Sequence, residues 1–120
     1  MIRRLAGVVV VPAVVAALVS GCGGDSDTPV TEDGVVIDVV IDGGSVTPSN
    51  ERIEAAMGET VTVRIESDAD DELHVHAVPE HSFEIHPGTQ ETQFSVDVPG
   101  QVAVELHDAG TTVATLLVRP

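Results

Sequence analysis

Thr60-Val61-Thr62-Val63-Arg64-Ile65-Glu66 decides the fold class. Val61, Val63 and Ile65 fall on one face, and Thr62 and Arg64 on the other. That strict alternation is the signature of a half-buried β-strand. Val102, Val104 and Leu106 repeat it with Ala103 and Glu105 outward, and Phe94, Val96 and Val98 form a third series. Val35–Ile41 and Val113–Val118 are more continuously apolar, as central strands can be. Sixteen valines against four leucines follow Cys22, and valine, stiff at its first torsion, favours strands. No stretch holds a 3.6-residue period over a helix length.

Turn signals separate the runs: Asp42-Gly43-Gly44, Thr47-Pro48-Ser49-Asn50, Met57-Gly58, Pro87-Gly88, Pro99-Gly100 and Ala109-Gly110. Each carries a Gly or Pro that supplies backbone geometry other residues resist. Their spacing of about 8–12 residues is the rhythm of a sandwich or barrel. The expected strands are 35–41, 51–55, 60–66, 73–78, 82–85, 91–98, 101–107 and 112–118, with a helical turn around Glu54–Met57. The reading is all-β, a Greek-key β-sandwich of seven or eight strands.

Upstream of this unit the composition changes. Met1–Arg4 carries two of the five arginines, and Leu5–Val19 is an apolar run containing Pro12. It is shorter than the roughly 20 residues a spanning helix needs, and a charged start before a short apolar run is a secretory signal. The run ends in Val19-Ser20-Gly21-Cys22, which resembles the lipobox of bacterial lipoproteins. The resemblance implies cleavage after residue 21 and acylation of Cys22, giving a lipid anchor on the extracytoplasmic face of the membrane. Residues 22–34 are rich in Gly, Asp, Ser, Thr and Pro with only Val30 apolar, and read as a flexible acidic tether. The folded unit is then 35–120.

The chain has 120 residues, 20 acidic and 5 basic, with no lysine and a net charge of −15. Such acidity excludes nucleic acid as a partner, because phosphate binding needs a basic face. With no Trp, no Tyr and two Phe, little remains for stacking bases. The single cysteine excludes an internal disulfide and a multi-cysteine metal site. No G-x-S-x-G, H-E-x-x-H, P-loop or G-x-G-x-x-G pattern occurs, so no enzymatic activity is expected.

The chemistry that remains is in the histidines. His74, His76, His81 and His86 lie close together, with His107 further on. Histidine is the commonest ligand for borderline transition metals. Side chains at i and i+2 of a strand share a face, so His74 and His76 can reach one metal. Asp71, Glu72 and His107 are the nearest additional donors, the last expected to point outward because it follows Leu106. His81 and His86, near turns, read as surface residues. The competing reading leaves both members of the His74/His76 pair in solvent while Leu73, Val75 and Ala77 are buried.

The order of features resembles a cupredoxin-like domain over residues 35–120, most of all the variant in bacterial lipoproteins and in EfeO-type iron-uptake proteins. The resemblance rests on Gly58-Glu59-Thr60-Val61-Thr62-Val63, on Asp71-Glu72-Leu73-His74-Val75-His76, and on Pro99-Gly100-Gln101-Val102-Ala103-Val104-Glu105-Leu106. It places His74 at the first copper-histidine position and Leu106 where blue-copper members carry cysteine. No His or Met follows Leu106 at the expected spacing. A type 1 copper site is therefore not expected, since that site depends on the thiolate. What is expected is a lipid-anchored binding module. It takes Cu(II), or another transition metal, through His74 and His76, in metal handling or beside envelope uptake proteins. The alternative is a metal-free structural or protein-interaction domain at the cell surface.

Overall fold

A computed structural model describes residues 34–120. Cys22, the export signal and all of the tether before Gly34 lie outside the described residues. Nine strands follow in order: β1 Val35–Asp42, β2 Ser45–Thr47, β3 Glu51–Ala56, β4 Val61–Ser67, β5 Asp71–Val75, β6 His81–Ile85, β7 Gly88–Phe94, β8 Gly100–Leu106 and β9 Thr111–Arg119. They form two sheets, β2-β1-β4-β7 and β3-β9-β8-β5-β6. All eight expected strands are present. The ninth, β2, is a three-residue strand hydrogen-bonded to the end of β1, too short to leave a periodic signal.

The sheets face each other across one apolar layer. Ile37, Val39 and Ile41 of β1 and Val61, Val63 and Ile65 of β4 meet Leu73, Val75, Val104, Leu106 and Leu116 of the other sheet, all buried. Each such side chain contributes about 1.5–3 kcal/mol on leaving water. Two pairings are parallel, β1 with β4 and β3 with β9, and the rest are antiparallel.

Three expectations are corrected. The helical turn around Glu54–Met57 is absent: Ile53 and Ala55 face the core from β3, which pairs with β9 as far as Ala56. There the N–H of Glu59 closes a turn onto the Ala56 carbonyl at 3.1 Å. Strand β7 spans Gly88–Phe94 in place of 91–98. Gly88-Thr89-Gln90-Glu91-Thr92-Gln93 has no apolar alternation, yet pairs in full with β4 as an edge strand. Val98, expected inward with Phe94 and Val96, therefore lies beyond the strand and is 50% exposed. Strand β5 starts at Asp71 and stops at Val75, where the Ala77 N–H turns back to the Val75 carbonyl.

Candidate functional site

Strand β5 sorts its side chains by parity. Asp71, Leu73 and Val75 are buried, while Glu72 and His74 face outward and are only partly covered. His76 continues the outward series just past the strand, its N–H held by the Ala103 carbonyl at 2.9 Å. β8 lies antiparallel beside β5 with His74 opposite Glu105 and Leu73 opposite Leu106. The outward residues of β8, Ala103 and Glu105, and then His107, therefore line the same face. On the other flank, β6 sets Ser82 opposite His74.

This register gathers three imidazoles. The His74 and His76 ring centroids are 6.0 Å apart with planes inclined at 50°. His74 and His107 stack at 5.6 Å and 29°. Carboxylates surround them. Glu72 contacts His74 Nε2 and accepts the Ser82 hydroxyl proton. Glu80 lies 3.4 Å from His74 Nδ1. Glu105 reaches His76 Nε2 at 2.9 Å, and Asp108 reaches His107 Nδ1 at 3.1 Å. The hydroxyl of Ser82, and then His74, hold the Glu72 carboxyl below the usual carboxylate range. Asp108 raises His107 above the usual imidazole range.

Of the donors singled out in the sequence, His74, His76, Glu72 and His107 share this face, and Asp71 does not. Its side chain is on the core side, where one oxygen accepts the N–H groups of Glu72 at 2.7 Å and Asp108 at 2.8 Å. The other accepts the Ala109 N–H at 3.1 Å. Asp71 thus fastens the β8–β9 turn, and its oxygens are engaged there. Glu105 and Glu80 are additions to the cluster. Glu105 was legible as outward in the β8 alternation, but its nearness to the histidines depends on which strand β8 pairs with. Among the described residues, no three His, Cys, Asp or Glu side chains form a group that could hold a metal as they stand. The donors are instead paired with one another.

The other histidines stand apart. His86 contacts Asp70 at 3.1 Å and is well exposed. His81, expected on the surface, is half-buried and packs between the sheets, against Phe83 at 6.3 Å and Phe94 at 5.8 Å. It faces inward because it shares parity with Phe83 and Ile85 on β6.

No protein-family model matches the chain, and no curated protein matches it. Solved structures do. Reduced auracyanin from Roseiflexus castenholzii superposes with a TM-score of 0.52 at 12% identity, over 71% of this chain and 97% of its own. A Cu(I) amicyanin variant gives 0.51 at 13% identity, over 75% and 86%. The domain is a cupredoxin-like β-sandwich. A multicopper oxidase from Pediococcus acidilactici aligns at 0.50 and 13% identity, over 86% of this chain and 29% of its own. At these identities the likeness is one of fold. Inside this cupredoxin-like domain, His74 and Leu106 open onto opposite faces of the five-stranded sheet.

Proposed function

We propose that the chain is a lipid-anchored, extracytoplasmic cupredoxin-like binding module that takes Cu(II) on the outer face of its five-stranded sheet. His74 and His76 would hold the ion, with Glu72 and His107 as the adjoining donors. The observation that carries this reading is the convergence of three imidazoles and three glutamates, Glu72, Glu80 and Glu105, on one face. Imidazole and carboxylate suit Cu(II) and lack the softness that favours Cu(I). Binding would replace the imidazole–carboxylate contacts, and the acidic surface would draw cations to the face. The role is capture or transfer of metal at the envelope, alongside transport or uptake proteins, and not enzymatic catalysis.

A type 1 site does not fit these residues. The only cysteine is Cys22, which the lipid reading commits to acylation, and the family's cysteine position holds Leu106, 1% exposed in the core. Even a thiol there would be directed away from His74. Electron transfer through a copper thiolate is therefore not proposed.

A metal-free interaction domain is the second reading, favoured by the pairing of imidazoles His74, His76 and His107 with Glu72, Glu105 and Asp108. Isothermal titration of the 23–120 fragment with Cu(II) separates the two. Binding that is lost in a His74→Ala/His76→Ala variant supports the metal reading. Equal binding by parent and variant overturns it.

A further inference from the structure

The loops at one end of the sandwich carry most of the exposed large apolar side chains. Val78 is 76% exposed, Val98 50% and Met57 44%; the fourth, Val40, lies on the face of β1. The three loops adjoin. The Gly58 N–H donates to the Val96 carbonyl at 3.0 Å and the Met57 N–H to the Arg119 carbonyl at 2.8 Å. Val78 and Val98 flank one groove with Ala77, Val96 and Pro99. The chain enters the domain at this same end: the Val35 N–H, next to Gly34, donates to the Thr60 carbonyl at 3.0 Å.

The opposite end is acidic. It carries Asp42, Asp68, Asp70 and Asp108, joined through the Gly43–Asp68, Asp70–His86 and Asp108–Asp71 contacts. The apolar end carries four carboxylates, three of them engaged. Glu54 pairs with Arg119 at 2.8 Å, Glu59 accepts the Ala56 N–H at 2.7 Å and Glu80 faces His74, leaving Asp97.

We infer that Met57, Val78 and Val98 form a membrane-resting surface that seats this end of the domain at the bilayer interface. The inference rests on the lipid-anchor reading of Cys22. Gly23–Gly34 spans 12 residues; on the tether reading of the sequence, a flexible chain of that length has an r.m.s. end-to-end distance of about 20 Å and extends to about 40 Å only when fully stretched. A nine-residue strand such as β9 is about 30 Å long. Turning the acidic end to the membrane would stretch the linker along the whole domain and press aspartates onto anionic headgroups. Keeping the entry end down lets three apolar tips leave water while the acidic loops face away. On this orientation the His74 face lies along the side of the domain, open to solvent.

The test uses the full-length lipidated protein in phosphatidylethanolamine/phosphatidylglycerol vesicles containing a phospholipid spin-labelled just below the headgroup. Acylation blocks Cys22, so Val78→Cys, Val98→Cys and Ala109→Cys each offer one thiol for a fluorophore. The expected result is quenching at 78 and 98 about twofold or more stronger than at 109, because interfacial burial reaches ~5–10 Å into the headgroup boundary. A fluorophore at Met57→Cys should lose most of its quenching when Val78→Asp and Val98→Asp are added. Equal quenching at both ends, with Cys22 shown by mass spectrometry to be acylated, overturns this proposal alone. An unacylated Cys22 overturns the anchor reading and this one with it.

Discussion

Replacing Asp71 with alanine should destabilise the domain severely, for a reason unrelated to metal. The Asp71 carboxylate accepts three backbone N–H groups, two of them across the fold from Asp108 and Ala109. The residue is 9% exposed, so water replaces it poorly. A hydrogen bond to a charged group contributes about 1.5–3 kcal/mol. Losing the two long-range bonds, with partial rescue by water at the turn, gives a loss of about 3 kcal/mol. The whole domain is worth only ~5–10 kcal/mol on the scale of small domains, and the midpoint should fall by roughly 15 °C. Asp71→Asn keeps one acceptor oxygen and should cost about half as much. With no Trp or Tyr in the chain, unfolding is best followed by far-ultraviolet circular dichroism or calorimetry. A loss below about 0.5 kcal/mol for Asp71→Ala, the range of an ordinary surface change, would refute the reasoning.

Leu73 and Leu106 face each other across β5 and β8 in the core; truncating either to alanine should cost ~2–5 kcal/mol in urea unfolding. Leu106→Cys loaded with copper should show no intense visible absorption, because its sulfur and His74 occupy opposite faces; a blue product would contradict that geometry. Glu72, held below its ordinary value of 4.5, contributes stability that is present above pH 4.5 and lost as pH falls through its lower folded value. Glu72→Gln should flatten the acid limb of the stability curve. His107 has the opposite sign. Raised from 6.5 by Asp108, it contributes below pH 6.5 and loses this as pH rises through the folded value. Asp108→Asn should remove that loss.

The alternating runs made the β-sandwich legible. Period 2 is a local property, and Val61, Val63 and Ile65 or Val102, Val104 and Leu106 display it without help from the rest of the chain. It failed at β7, where an edge strand needs backbone pairing but little apolar surface. The helical turn misread around Glu54–Met57 has a similar cause, since β3 gains its strand state from β9. The same period also had the means to separate Asp71 from His74, because odd positions of β5 run with Leu73 and Val75. Nearness in sequence grouped them wrongly.

The sequence alone determined the sandwich, the shared face of His74 and His76, and the lack of a cysteine in residues 34–120, since each follows from composition or from spacing within one strand. The tertiary structure decided the rest of the cluster. His107 stacks on His74, and Glu105 reaches His76, only because β8 pairs with β5 in a register that sets Glu105 opposite His74. Strand pairing is a long-range choice fixed by packing two sheets on one core, and nothing local to either strand records it.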